Sequence, residues 1–428
     1  MEPLKVGLIG LGTVASGVAT VLTQNRDEIA RRVTRTPIIE KVFVRSLDRE
    51  NPYNLNLTTD ITEITDNHDI DIVIELIGGI EPALTYIKDA LKNKKSVITA
   101  NKELIATHGD ELLKIAADNG VFLRFEASVA GGIPILKLLR EGLAANKIDS
   151  VMGIINGTSN YILTEMSDKG AEFDVCLKEA QALGYAEADP TFDIKGIDAA
   201  HKLAILASTA LGIPLNFKAL HIEGIDTLTK DDIAISHAEG YAIKHLGIAR
   251  KSDQGVELRV HPTLVPLNHA FANVNGVLNG VFIKGNAVGE QFISGRGAGS
   301  EATASAVVAD LIEIAHNKIL DHSAPALGFK VDQLEALPIL KATEFKSDFY
   351  ISFKLNTKAE SVSLLKNLEM VAKTALNCAF NIKFYDENQQ IIITTQKTLQ
   401  LNVENLINNA MLNEGIEESK FIRIESFS

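Results

Sequence analysis

The chain has 428 residues, more than one ordinary core can organise, so two or three domains are expected. A hydrophobic share of 46% and a charged share of 23% are those of a globular protein and argue against extensive disorder. The net charge of -13, the absence of Trp and the lack of a long basic run argue against nucleic-acid binding, because phosphate backbones are repelled and stacking platforms are few.

The N-terminus, Met1-Glu2-Pro3-Leu4-Lys5, enters an apolar run without a signal-peptide layout. The longest stretch free of formal charge, 260–283, is broken by Pro262, Pro266 and several Asn, so no membrane helix is expected. Cys176 and Cys378 are far apart and have no metal-ligand spacing. A reducing compartment, the cytoplasm, follows as the expectation.

In chain order, residues 5–9 read as a buried strand, 14–29 as a helix, and 38–44, 70–76 and 96–99 as further strands. Between the last two, 82–93 is helical and ends in Lys92, Lys94 and Lys95, cations that suit a helix C-terminus. Such alternation predicts an α/β fold, a Rossmann-type doubly wound parallel sheet with helices on both faces. Directly after the first strand stands Gly10-x-Gly12-x-x-Ala15. The first glycine permits a tight turn, the second lets the backbone approach a pyrophosphate, and the small third residue allows close helix–strand packing. Gly10, Leu11, Gly12, Thr13 and Val14 are therefore the candidate phosphate-binding turn, with the helix N-terminus supplying N–H groups. The second strand ends Val44-Arg45-Ser46, without the acidic residue that holds an NAD ribose. Arg45 can face a 2′-phosphate, favouring NADP over NAD; a solvated surface arginine is the equal alternative.

After residue 134 the pattern is mixed: helices at 135–143, 160–167, 175–183 and 197–211, and strands at 150–155, 218–222 and 255–264. Residues 275–292 read as strands with glycine turns, and 302–316 as a helix returning to the first domain. A segment containing Pro325 and Pro338 suits a linker. Residues 349–355, 364–376, 379–385, 390–395, 403–411 and 420–425 then read β-α-β-β-α-β, the ferredoxin-like order. The expected domains are 1–134 with the helix at about 302–320, 135–301 for substrate binding and dimerisation, a linker at 321–345, and a regulatory or oligomerising module at 346–428.

Several passages carry a family resemblance in order: Glu75-Leu-Ile-Gly-Gly79, Thr99-Ala-Asn-Lys102, Phe125-Glu-Ala-Ser-Val-Ala-Gly-Gly-Ile-Pro134, Asn156-Gly-Thr-Ser-Asn160, Leu183-Gly-Tyr-Ala-Glu-Ala-Asp-Pro190, Gly196-Ile-Asp-Ala-Ala-His-Lys-Leu-Ala204, and Gly295-x-Gly-Ala-Gly299 before Thr303-Ala-Ser-Ala. Together they resemble homoserine dehydrogenases, over roughly residues 5–310, in the monofunctional form. The resemblance implies NAD(P)H-dependent reduction of L-aspartate 4-semialdehyde to L-homoserine, in threonine and methionine biosynthesis. Reducing an aldehyde needs hydride at carbon and a proton for oxygen. Asp198 and Lys202 stand four apart in a helical stretch and share one face, where a carboxylate can orient an ammonium for acid–base work. An exposed ion pair is the plain alternative.

The family implies both residues at the substrate, with Lys202 as proton donor. Lys102, just beyond a parallel strand, is the rival for that role or a cofactor contact, and the residues do not decide between the two lysines. For the small amino-acid substrate the resemblance implies Glu187 at the α-ammonium, Asp193 nearby, and Asn156, Gly157 and Thr158 along the cleft. It places Gly78 and Gly299 by the cofactor. It also makes Glu126, Val129, Gly131 and Ile133 a loop for a monovalent cation such as Na⁺. Ala15 replaces a usual glycine, and Asn286 and Glu301 stand where Asp and Pro are usual.

The tail resembles an ACT domain, a module that binds amino acids at subunit interfaces. Its turn Asn356-Thr357-Lys358-Ala359-Glu360 lacks the usual Pro and Gly, so oligomerisation, as a homodimer or homotetramer, is at least as well supported as threonine feedback. Two other readings stay open: a different semialdehyde or sugar oxidoreductase, and an inactive dinucleotide sensor. Retention of Lys102, Asp198 and Lys202 speaks against the sensor.

Overall fold

The computed structural model describes residues 2–317, 325–356 and 361–427. They gather into two compact units that interleave along the chain. The first comprises Met1–Gly157, Ile197–Leu220 and Val277–Leu337; the second comprises Thr158–Gly196, His221–Gly276 and Pro338–Ser428.

The first unit is built on six strands: β1 (Leu4–Ile9), β2 (Pro37–Phe43), β3 (Leu57–Thr58), β4 (Ile72–Glu75), β5 (Ser96–Thr99) and β6 (Leu123–Arg124). All pair in parallel, in the order β3-β2-β1-β4-β5-β6. Every residue of β4 and β5 is buried, which is why these strands read as continuous apolar runs instead of alternating ones. The strand order reverses between β1 and β4, and in open parallel sheets the carboxyl ends at such a reversal form the ligand crevice. Helices α1 (Thr13–Gln24), α2 (Ala83–Lys92) and α3 (Lys102–Asp118) follow β1, β4 and β5.

The returning helix Ser300–Asn317 packs on α1, and Val307, Leu311 and Ile314 join Leu8, Val18 and Ile74 in one core. Each such side chain contributes about 1.5–3 kcal/mol by leaving water. Gly17 makes the approach possible: a Cβ there would lie 2.6 Å from the Ser300 carbonyl oxygen. Glu313 on the same helix accepts from Arg124 Nε at 2.7 Å and Arg140 at 2.5 Å, a buried charge cluster tying the helix to β6. The same unit holds the strand Ile148–Ile154 paired antiparallel with the hairpin Leu278–Gly285/Gly289–Arg296. Its helix Ile197–Leu211 packs on α3.

The second unit contains the antiparallel pair Tyr241–Ser252 and Gly255–Pro266. Strand Lys346–Leu355, helix Ser361–Ala375, strands Phe380–Tyr385 and Gln390–Thr395, helix Gln400–Ala410 and strand Ile416–Ile424 complete it. The four strands of this module are antiparallel in the order fourth-first-third-second, the split βαβ arrangement. Its last strand also pairs in parallel with Gly255–Pro266 through Thr263 and Leu264.

Some elements differ from the sequence reading. Residues 135–143, expected as a helix, form a short turn Ile135–Lys137 followed by a wider π-type turn, Leu138–Gly142. The expected strand at 218–222 is a 3₁₀ turn, Phe217–Ala219, with two strand residues after it. Strand Tyr241–Ser252 was not anticipated; most of it is buried, so it shows no period of two. Of the turn at 356–360 only Asn356 lies within the described residues, and the returning helix is described as far as Asn317. Among the described residues no helix is long and apolar enough to cross a membrane.

Candidate active site

The crevice at the carboxyl ends of β1 and β4 is a cavity of about 570 Å³ lined by Gly10, Leu11, Gly12, Phe43, Val44, Arg45, Arg49, Ile77, Gly78 and neighbours. Gly10 has φ +95°, and a Cβ there would sit 2.7 Å from Ile77 Cγ2, so both backbone and space require glycine. At Gly12 a Cβ would meet nothing within 4 Å, so the backbone there faces open space. Gly12 is also the N-cap of α1 and offers no side-chain acceptor to the first N–H groups, a fit for phosphate oxygens. Arg45 is exposed along this crevice. Arg49 lines it too and donates to the Leu11 carbonyl. The sequence reading missed Arg49; its signal was a second basic residue in the loop after β2. Ser300 Oγ donates to the Thr13 carbonyl at 2.7 Å, which holds Gly299 (φ +119°) beside the start of α1.

A second constellation lies in the same unit. Asp198, 4% exposed, is near the start of helix Ile197–Leu211. Its Oδ1 lies 3.1 Å from Lys102 Nζ, and its Oδ2 lies 2.7 Å from Lys202 Nζ and accepts from Asn156 Nδ2 at 2.8 Å. Lys202 also donates to the Ile155 carbonyl at 2.8 Å, a backbone partner that no sequence pattern announces. Burial pushes the Asp198 carboxyl up, but the Lys202 and Lys102 ammoniums and the hydrogen bonds outweigh it and hold the group well below the usual carboxylate range. His201 directly precedes Lys202; burial depresses its pKa, and its ring packs on Phe217 at 4.1 Å. The arrangement gives two ammoniums on one carboxylate at the end of a parallel strand, with a dinucleotide crevice in the same unit.

Family models match the two stretches concerned: "Homoserine dehydrogenase, NAD binding domain" over residues 10–126 and "Homoserine dehydrogenase" over 134–312. A homoserine dehydrogenase of Pseudomonas aeruginosa is 45% identical over 426 residues, 97% of either chain. This chain belongs to the homoserine dehydrogenase family. It is an NAD(P)-dependent oxidoreductase acting on a CH–OH group, of amino-acid biosynthesis. The solved homoserine dehydrogenase from Thiobacillus denitrificans is similar with TM-score 0.95 at 46% identity, covering 100% of this chain and 99% of that one. A hyperthermophilic archaeal homoserine dehydrogenase in complex with NADPH has TM-score 0.64 at 26% identity, over 75% of this chain and 99% of its own.

The loop expected from the sequence to hold a monovalent cation falls in the first unit. Glu126, 1% exposed, accepts from the N–H groups of Leu136 and Lys137 at 2.9 and 2.7 Å, and its own N–H donates to Asp310 at 2.9 Å. Burial first, and then the Asp310 charge, push the Glu126 carboxyl up; burial likewise raises Asp310. The backbone turns through Ala130 (φ +55°) and Gly131 (φ +44°), with Val129 and Ile133 buried on either side. Among the described residues no cluster of three His, Cys, Asp or Glu could hold a metal. Backbone carbonyl and carboxylate oxygens are the donor types that suit a hard cation.

Of the remaining expected residues, Thr158, Glu187 and Asp193 belong to the second unit and Gly157 to the first. Glu187 is exposed, with its carbonyl accepting from Gln181 Nε2 at 3.1 Å. Asp193 is half-buried, and its carbonyl accepts from Ser159 Oγ at 3.1 Å. Thr158 Oγ1 donates to the Tyr185 carbonyl at 2.6 Å. Gly157 closes the first unit, where a Cβ would lie 3.0 Å from the Val277 carbonyl.

The Asp198 geometry carries a pH expectation. A depressed carboxyl stabilises the fold above its ordinary value of 3.8, and that contribution is lost only as pH falls through the lower folded value. Asp198→Asn should lower kcat by about 100-fold or more, by disorienting the ammoniums. Its stability deficit against the parent should be constant from neutral pH to about 4 and shrink below that, read by urea denaturation. A deficit that instead changes between pH 6 and 9 would contradict the assignment.

Proposed function

We propose that this chain interconverts L-aspartate 4-semialdehyde and L-homoserine with Lys202 as the proton donor and acceptor at the substrate oxygen, in threonine and methionine biosynthesis. The observation that carries the reading is the shared carboxylate. Lys202 gives two of its three N–H bonds to Asp198 and Ile155, which leaves one for a substrate oxygen. When bound, a reduced nicotinamide would supply the hydride that the aldehyde carbon takes up; Lys202 gives one proton to the oxygen, which becomes the alcohol, and recovers a proton from solvent. Asp198 holds the ammonium in place. Lys102, on the other carboxylate oxygen and more exposed, polarises the same carbonyl or orients the cofactor. Asn156 steers the Asp198 carboxylate. Glu187 is the proposed partner of the substrate ammonium, and Asp193, Gly157 and Thr158 are further proposed substrate contacts.

Comparing Lys202→Met with Lys102→Met in single-turnover hydride transfer tests the roles. The Lys202 variant should lose about 100- to 10,000-fold in the chemical step, the range general acid catalysis supplies, and more than the Lys102 variant. Near-parental chemistry in Lys202→Met transfers the role to Lys102.

Gly10, Leu11, Gly12, Thr13, Val14, Gly78 and Gly299 are the proposed cofactor contacts. NADP is the preferred nucleotide, supported by Arg45 and Arg49 on the crevice wall and by the NADPH bound in the archaeal relative. Losing a charge-assisted hydrogen bond should make Arg45→Ala about 10-fold weaker in kcat/KM with NADPH and leave NADH unaffected. A parent enzyme that strongly prefers NADH rejects this.

Glu126 and the carbonyls of Val129, Gly131 and Ile133 would hold a monovalent cation, Na⁺ above others. Sodium should then raise the melting temperature more than tetramethylammonium does, and equal effects would dismiss the site. The C-terminal module acts as an ACT-like oligomerising element of a cytoplasmic homodimer or homotetramer. Exposed Leu401, Met411 and Leu412 at its second helix support that reading, and a monomer by light scattering would refute it.

A further inference from the structure

Glu75 ends β4 and is 0% exposed, so it can touch neither substrate nor cofactor. Its carboxylate nonetheless takes three hydrogen bonds from two separate segments. Oε1 accepts from the backbone N–H groups of Ile77 at 2.7 Å and Gly78 at 3.1 Å. Oε2 accepts from Thr99 Oγ1 at 2.6 Å, across the β4–β5 register that sets Glu75 opposite Thr99. Thr99 Oγ1 in turn accepts from the N–H of Asn101 at 3.0 Å. Asn101 then closes the circuit: its Nδ2 donates to the Gly79 carbonyl at 2.6 Å, and its Oδ1 caps α3 by accepting from Leu104 N–H at 3.2 Å. The next residue is Lys102.

This circuit has a direction. A carboxylate only accepts, so the Thr99 hydroxyl must donate to it and offer its lone pair to Asn101. The N–H groups of Ile77 and Gly78 are turned inward onto Glu75, while the Cα of Gly78 (φ +71°) and that of Gly79 (φ +72°) border open space. Ile77 and Gly78 line the nucleotide crevice. One buried carboxylate therefore ties the crevice loop to the first turn of the helix that presents Lys102.

We propose that Glu75 is a positioning residue for the reaction: it locks the Ile77–Gly79 loop to the N-terminus of α3 and so sets the Lys102 ammonium against the bound nucleotide. The inference rests on the reading above that Lys102 polarises the substrate carbonyl or orients the cofactor. Gln at position 75 keeps the shape but reverses the circuit, because an amide facing Thr99 puts two donors on one hydroxyl oxygen.

The test uses the full-length enzyme and four variants, Glu75→Gln, Glu75→Asp, Thr99→Val and Thr99→Ser, with NADPH affinity read from nucleotide fluorescence and kcat and KM from homoserine oxidation. Glu75→Gln and Thr99→Val should weaken NADPH roughly 10-fold and lower kcat about 10- to 100-fold, the usual range when a supporting partner is lost, with the homoserine KM nearly unchanged. Thr99→Ser, which keeps the hydroxyl, should behave as the parent. Should Glu75→Gln fail to fold, Thr99→Val and Thr99→Ser carry the same comparison. Parental NADPH affinity and kcat in Thr99→Val, with only a lower melting temperature, would overturn the proposal. A parent enzyme inactive on homoserine with either nucleotide would overturn the functional reading instead, and the NADPH affinities would still judge the circuit.

Discussion

Two lysine ammoniums converge on the Asp198 carboxylate, one on each oxygen, and this shared anion is the constraint from which the rest of the site follows. Like charges this close repel, and a carboxylate with 4% exposure would be strongly disfavoured alone. Together they are satisfied, and removing both ammoniums would leave the buried carboxylate uncompensated. The anion also fixes geometry, because its partners come from three separate parts of the chain: the first turn of α3, the Ile155–Asn156 turn, and the helix Ile197–Leu211.

That convergence requires a rigid frame, and the parallel sheet supplies it. Strands buried on both faces leave no slack in register, so the carboxyl ends of β1, β4 and β5 present Gly10, Glu75 and Thr99 on one edge of the sheet. The returning helix Ser300–Asn317 stiffens the frame from outside. Gly17 admits it close to α1, and Glu313 lies between Arg124 and Arg140, where the loss of any one charge would strand the others in a dry environment. Ser300 then carries this stiffness to the phosphate-binding turn through its bond to Thr13.

In the second unit the C-terminal module is not a loosely tethered addition. Its last strand pairs with Gly255–Pro266, and the buried Arg259 meets Glu425 just beyond that strand at 3.1 Å. Arg423, 1% exposed, reaches Glu223 at 2.8 Å from the strand itself. The module and the hairpin thus share backbone pairing and buried charge.

Local rules were enough to read the dinucleotide turn, the alternation of strands and helices in the first domain, and the β-α-β-β-α-β order of the tail. Each depends on spacing within a short window: a glycine that needs positive φ, apolar runs between helices, and a pair four apart on one helix face, as with Asp198 and Lys202. Sequence failed where burial erased periodicity, as in Tyr241–Ser252, or where the backbone turned irregularly, as in 135–143. It could not join Lys102 to Asp198, assign the Ile155 carbonyl to Lys202, or show that Glu75 faces inward on Thr99. Those partners lie far apart along the chain or belong to the backbone, and only the packing of strands and helices brings them within hydrogen-bond distance.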